Sequence, residues 1–189
     1  YMRREDAQVS DFATFENELD DGSVVTSFAD AIRNTDTGIN RGIEITSQWQ
    51  LSPVWQVNAN LGYLDATFGN YTRLDGTFVP EQDQAQAPDF TLYIASQYQL
   101  GENWLWSVDA DAKDSYRFSD GHQERAPFTL VINTSLAWQE AEHLVRVWVK
   151  NLADRQVFTR GFGGFSNDPR DEYAFDEPYF QFGQERQVG

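Results

Sequence analysis

Residues 54–68 read VWQVNANLGYLDATF, and apolar and polar side chains trade places along them. On an extended chain successive side chains point to opposite faces, so Trp55, Val57, Ala59, Leu61 and Tyr63 share one side, while Gln56, Asn58, Asn60 and Gly62 share the other. One side suits hydrocarbon and the other suits water. The same beat returns in residues 90–100, where Phe90, Leu92, Ile94, Tyr98 and Leu100 alternate with Thr91, Tyr93, Gln97 and Gln99. It returns again in residues 128–138, with Leu130, Ile132 and Leu136 opposite Thr129, Asn133 and Ser135, and in residues 43–51, with Ile43, Ile45, Trp49 and Leu51 opposite Glu44, Thr46, Gln48 and Gln50. Runs of this length match the roughly 9–11 residues of a tilted membrane strand and exceed the usual strand of about 5–6.

The connections divide into two kinds. Leu51-Ser52-Pro53-Val54, Leu100-Gly101-Glu102-Asn103 and residues 139–143 are short turns, and Trp49, Trp55, Trp104, Trp106 and Trp138 stand beside them. Indole combines a large apolar body with one N–H donor and favours the boundary between hydrocarbon and water. Five of the six tryptophans are thus expected in one girdle at the turn end of a barrel wall. The opposite connections, roughly residues 15–38, 69–89, 118–126 and 160–183, are long and polar and read as extracellular loops. Within the first, Asp30-Ala31-Ile32-Arg33 is at best one helical turn. The fold expected is all-β: a transmembrane antiparallel up-and-down barrel, of which about seven strands and the first residues of an eighth are present, with neighbours in sequence adjacent in space.

Composition removes several classes of function. Fourteen basic against thirty acidic residues give a formal charge of −16, so nucleic acid is a poor partner, since phosphate binding needs clustered Lys and Arg. The acids gather in loops, Glu16, Glu18, Asp20 and Asp21 in one and Asp168, Asp171, Glu172, Asp176 and Glu177 in another, where they keep a surface solvated. There is no cysteine, hence no disulfide, thiolate metal site or Cys nucleophile. No apolar run of about 18 residues provides a helical span, and a mean hydropathy of −0.59 is compatible with a barrel, whose apolar band is hidden by alternation. No signal peptide is visible.

Residues 145–160, VRVWVKNLADRQVFTR, carry a resemblance. An alternating strand followed by Asn151-Leu152-Ala153-Asp154, a long loop, and Gly183-Gln184-Glu185-Arg186 leading into one more strand resembles the carboxy-terminal end of TonB-dependent outer-membrane receptors. Arg41-Gly42-Ile43-Glu44-Ile45 is similar to that family's Arg-Gly-x-Glu strand opening, and Leu61-Gly62-Tyr63-Leu64-Asp65-Ala66 to the strand that follows it. The resemblance implies that residues 1–189 form the carboxy-terminal portion of a receptor barrel of about 22 strands. The plug domain, the TonB-binding segment, the other strands and the last strand's completion beyond Val188-Gly189 are expected to lie outside it. It further implies a Gram-negative cell outer membrane, contact with outer-membrane lipids, and a TonB complex acting through the plug region. The ligand implied is a small-molecule nutrient, a ferric siderophore or similar iron complex foremost, with haem, cobalamin and oligosaccharides as the family's other cargoes. No cofactor and no catalytic residue are expected.

Candidate chemistry in the residues themselves is sparse. Asp109, Asp111 and Asp114 suggest calcium, but Asp109 and Asp111 share a strand face with Ser107 and Lys113, and the glycine turn and twelfth-position carboxylate of an EF-hand loop are missing, so a polar lumen accounts for them. His122 and His143 fall at opposite ends of the wall and cannot act as a pair. No nucleophile elbow, phosphate loop or dinucleotide fingerprint occurs. Gln56, Asn58, Asn60, Arg146 and Lys150 hydrate the lumen or meet the plug. In the last loop Phe162, Phe165, Tyr173, Phe175 and Tyr179 stand among acids, with Phe180 and Phe182 beside them. They are the candidate ligand-binding residues, against the plainer reading in which the loop aromatics pack on neighbouring loops. Two rival classes remain open: a passive porin-like barrel, and a soluble lectin-like β-sandwich that binds carbohydrate, in which the apolar faces meet inside a protein core.

Overall fold

The computed structural model describes residues 1–73, 76–120, 124–165 and 177–189. Its secondary structure is entirely β: β1 (Met2–Glu18), β2 (Val24–Ser52), β3 (Trp55–Phe68), β4 (Tyr71–Thr72), β5 (Phe78–Val79), β6 (Gln82–Asp83), β7 (Phe90–Leu100), β8 (Trp104–Lys113), β9 (Tyr116–Arg117), β10 (Arg125–Ala126), β11 (Thr129–Glu140), β12 (His143–Lys150), β13 (Phe158–Phe165), β14 (Glu177–Phe182) and β15 (Gln187–Val188). Eight of these form one wall in the order β1-β2-β3-β7-β8-β11-β12-β15. Every neighbouring pair in it is antiparallel. The order follows the sequence, so the wall is a meander with no Greek-key crossover, as the tight turns required. It is open, with β1 and β15 as its edges among the described residues.

Register sorts the side chains as the alternation demands. Trp49, Val57, Ser96, Val108 and Thr134 lie on one rung, Ala59, Ile94, Ala110 and Ile132 on another, and Leu61, Leu92, Ala112 and Leu130 on a third. All three have the same parity and make the apolar face. The rungs between them carry Gln48, Asn58, Ala95, Asp109 and Asn133, then Thr46, Asn60, Tyr93, Asp111 and Val131. The tryptophans follow the same parity. Trp104 pairs with Trp138 beside the turns, Trp55 and Trp106 flank Tyr98 two residues further along, and Trp49 lies two further again. Four residues of strand are roughly 13 Å, so the five indoles occupy one band at the turn end.

Glycines in the strand-opening motifs have local physical reasons. A Cβ on Gly42 would strike the carbonyl oxygen of Tyr63, and one on Gly62 would sit 2.6 Å from Thr91 Oγ1. Arg41 and Asp65 face each other across β2 and β3, with Arg41 Nη2 2.7 Å from Asp65 Oδ2. They stand on the apolar parity, two residues beyond Ile43 and Tyr63, and cap that end of the apolar band. Two of the turns bend through left-handed residues, Gly101 at φ 68° and Ala141 at φ 49°.

The long connections differ from the loops expected. Residues 15–38 are not a loop: β1 runs to Glu18, β2 starts at Val24, and Leu19 and Ser23 close the turn between them. Asp30-Ala31-Ile32-Arg33 is strand, paired with Phe12, Asp11, Ser10 and Val9. Glu16, Glu18, Asp20 and Asp21 stand at the tip of this hairpin, which runs past the Arg41–Asp65 pair that caps the apolar band. Residues 69–89 contain the short ladder of β4 with β5, and β6 adds to β3. Residues 160–183 likewise begin and end in a hairpin, β13 with β14, whose first pair is Phe158 with Phe182.

Candidate functional site

The polar face presents a continuous strip of donors and acceptors. Asp109 accepts a hydrogen bond from Asn133 Nδ2 at 2.7 Å. A groove of about 380 Å³ runs past Glu44, Thr46, Asn60, Gly62, Thr91, Tyr93 and Asp111. A second groove of about 410 Å³ is lined by Asp109, Asn133, Ser135, Arg146, Trp148 and Lys150. Lys150 Nζ lies 5.4 Å from the centre of the Trp148 ring, within cation–π range. Asp114 turns away from Asp109 and Asp111 to accept the N–H of Ser115 at 2.7 Å. No group of three or more His, Asp or Glu is arranged to hold a metal ion among the described residues. His143 is the first residue of β12, paired with Glu140 beside the short turn rather than in it, while His122 lies outside the described residues.

At the opposite end from the short turns, the long connections fasten onto one another. The segment after β5 docks on the β8–β11 connection: Gln82 Nε2 donates to Asp120 O at 3.2 Å, Ala85 N to Asp120 Oδ1 at 2.9 Å, Gln86 N to Arg117 O at 2.9 Å, and Gln86 Nε2 to Phe118 O at 2.8 Å. Arg125 Nη2 reaches Asp83 Oδ2 at 2.9 Å. Burial lifts the Asp120 carboxyl above the ordinary aspartate range, opposed by its hydrogen bond from Ala85 and the charge of Arg117. Burial lifts Asp89 as well, reinforced by the charges of Asp83 and Asp114. The same cause lowers Arg117, whose register partner is another cation, Arg125.

The β13–β14 hairpin joins this assembly through aromatic rings. Phe118 lies 5.4 Å from Phe180 and 6.4 Å from Phe158, and Phe158 meets Phe180 edge-on at 5.3 Å and Phe182 at 5.0 Å. Tyr116 and the fully covered Ala126 complete the cluster. Gly161 abuts the face of Phe118, where a Cβ would collide with the ring. Such pairs contribute about 0.5–1.5 kcal/mol each beyond the area they bury. A second small core, Ala7, Val9, Phe68, Tyr71 and Val79, seats the β4–β5 ladder against the base of the β1–β2 hairpin.

Of the aromatic residues singled out in the last loop, Tyr179 lies on β14, partly exposed, opposite Phe162 on β13. Phe165 pairs in register with Glu177. Tyr173 and Phe175 lie outside the described residues. Sequence reasoning missed Phe118 and Phe158, the rings that anchor the hairpin, because each is a single aromatic at the end of a strand and nothing local says that the two connections meet. It also missed the clasp of Gln82, Ala85 and Gln86 on residues 117–120. The available signal was the density of glutamine in residues 82–86, a side chain with two donors and an acceptor for bridging backbones.

Two solved structures that this chain is similar to are receptors. One is the ferric yersiniabactin uptake receptor FyuA of Yersinia pestis, with a TM-score of 0.66 at 20% identity over 84% of this chain and 23% of that one. Another is the siderophore receptor PiuA of Acinetobacter baumannii, with a TM-score of 0.63 at 13% identity over 95% of this chain and 27% of that one. The chain therefore spans about a quarter of the length of these receptors, and the likeness is one of fold. No curated protein matches it in sequence. Residues 1–152 match the family described as TonB dependent receptor-like, beta-barrel. With a meander wall of opposed apolar and polar faces, a tryptophan band at its turn end and that match over most of its length, the chain belongs to the TonB-dependent receptor β-barrel family, a family of receptors rather than enzymes.

Proposed function

We propose that this chain is wall and extracellular cap of an outer-membrane receptor that takes up a ferric siderophore or similar iron complex, driven by the TonB complex acting through a plug. The observation that supports it most is the two-faced wall itself: an apolar, tryptophan-banded face for lipid backs a polar face and a cap of interlocked connections. The functions printed for the two similar receptors add direction to the cargo. Phe162, Phe165, Tyr173, Phe175 and Tyr179 are proposed as ligand-contacting residues, since the hairpin that carries part of this set stands at the mouth beside the other connections.

The test is uptake of radioactive iron, supplied as a panel of ferric siderophores, by the Gram-negative source organism grown in low iron. Deleting the complete receptor gene is expected to abolish uptake of at least one complex, and deleting TonB is expected to do the same. Loss of haem, cobalamin or oligosaccharide uptake instead would replace the cargo. Uptake that survives without TonB would favour the passive porin reading.

A further inference from the structure

Asn151 is buried, yet it follows a strand directly and holds a left-handed backbone at φ 50°. Its N–H donates to Asn133 Oδ1 at 2.9 Å, and Asn133 in turn donates to Asp109 on the next strand. The Asn151 side chain spends three of its four hydrogen-bonding positions on what comes after: Oδ1 accepts the N–H of Arg155 at 2.9 Å, while Nδ2 donates to Arg155 O at 2.8 Å and to Gln184 O at 3.3 Å. Asp154, also left-handed at φ 52°, accepts the N–H of Arg186 on Oδ1 at 3.0 Å. The side chains of one four-residue turn thus grip the chain at 155, 184 and 186. These points bracket the whole β13–β14 hairpin, and the last is the residue before β15.

We infer that the Asn151-Leu152-Ala153-Asp154 turn is a register clip, in which Asn151 and Asp154 are positioning residues that fix where the hairpin leaves the wall and in which register β15 returns to it. Register matters here because side chains alternate. Val188 pairs with Val149 on the apolar parity, and Gln187 pairs with Lys150 on the polar one. A slip of one residue would turn Val188 to the polar face and Gln187 to the apolar face, along with every residue that continues the strand. The chain reaches β15 only after the long excursion through β13 and β14, and its first rungs are the pairs of Val149 with Val188 and Lys150 with Gln187 and the exchange of hydrogen bonds between Trp148 and Gly189. The clip specifies from outside the strand where those first rungs form, and it holds whatever the receptor carries.

The test uses disulfide trapping in the full-length receptor in its membrane. Trp148 and Gly189 exchange both hydrogen bonds, so Val149 and Val188 form a closely spaced non-hydrogen-bonded pair suited to a disulfide. V149C with V188C is expected to cross-link efficiently on oxidation, and V149C with Q187C is not. N151G keeps the left-handed backbone but removes the side-chain grip, and it is expected to shift the ratio of the two cross-links by about tenfold toward the slipped pair, the size of losing on the order of one net hydrogen bond. An unchanged ratio in N151G overturns the clip. Should N151G fail to give heat-modifiable barrels, Asp154 carries the test: D154N keeps an acceptor for Arg186 N–H and is expected to behave as the parent, while D154A slips. Equal ratios in D154N and D154A overturn the proposal as well.

Discussion

Trp55 and Trp106 meet one physical demand in the same way. Each indole N–H donates to a hydroxyl on the next wall strand, Trp55 to Ser96 Oγ and Trp106 to Thr134 Oγ1, at 3.0 Å in both cases. An indole beside a turn is expected to keep its N–H at the water boundary, but here the wall itself satisfies both N–H groups, so the rings are free to lie below the lipid headgroups. The tryptophans were legible because they cluster beside turns; their hydroxyl partners were not, because a diagonal neighbour exists only once register is known. S96A and T134V are expected to leave an indole N–H unpaired, at a cost of about 1–3 kcal/mol in apolar surroundings, and to draw the ring toward the headgroups. Quenching by lipids brominated along their chains, in single-tryptophan versions of the full-length receptor, measures this: an unchanged depth profile would contradict it. Asp120 makes a second prediction. Its folded pKa stands above the ordinary value, so its contribution to docking of the connections is full below about pH 3.9 and is lost as pH rises through the folded value. D120N keeps an acceptor for Ala85 N–H without the buried charge and should flatten that loss, giving more protection of the Ala85 amide at neutral pH. D120A should give less at every pH. Deuterium exchange at Ala85 checks both, and protection in D120N below that of the parent would show that the attraction to Arg117 outweighs burial.

Among the elements, those at membrane height were readable and those beyond it were not. Between lipid and a wet interior a strand must alternate, and residues 43–51, 54–68, 90–100 and 128–138 do so, which placed β3, β7 and β11 and the lower part of β2 correctly. Above that height the constraint lapses. β2 continues from Gly38, the last of its residues paired with β3, back to Val24, roughly 45 Å of hairpin whose ladder is with β1, joined at its base by Asp36 and Thr37 to Asn70 and Gly69. Its acids looked like loop, and the β13–β14 hairpin was hidden for the same reason. A two-stranded ribbon has marginal stability of its own, and the only cover found among its described side chains is at the base, where Ala7 and Val9 pack with Phe68, Tyr71 and Val79. Replacing residues 13–29 of the full-length receptor by Asn-Gly, a sequence suited to a tight turn between the paired Phe12 and Asp30, should therefore leave heat-modifiable barrel migration intact. Loss of that migration would mean that the projecting ribbon helps to hold the wall together.

At the scale of the whole molecule the governing fact is an open sheet. At membrane height the edges are β15 and residues 41–52 of β2, since β1 pairs only with residues 24–40, beyond the Arg41–Asp65 pair that caps the apolar band, and every backbone N–H and C=O along an edge that meets hydrocarbon lacks the partner that closure would provide, at several kcal/mol for each unsatisfied group. Among the described residues the contacts do not offset this, because the Phe118 cluster and the clasp around Asp120 tie connection to connection at one end and join neither of these edges to the other. Purified by itself in detergent, the 189-residue chain should satisfy its edges with other copies, residues 41–52 of β2 in one against β15 of the next. Light scattering after size exclusion should then show open-ended oligomers, and S47C on one copy should cross-link to V188C on another. The same two cysteines in the full-length receptor should not cross-link between molecules, since the further wall strands proposed there would cover both edges. A monodisperse monomer with intact strand signal would show that the edges are masked by the chain's own connections, and would remove the need for any other strands beside β2 and β15.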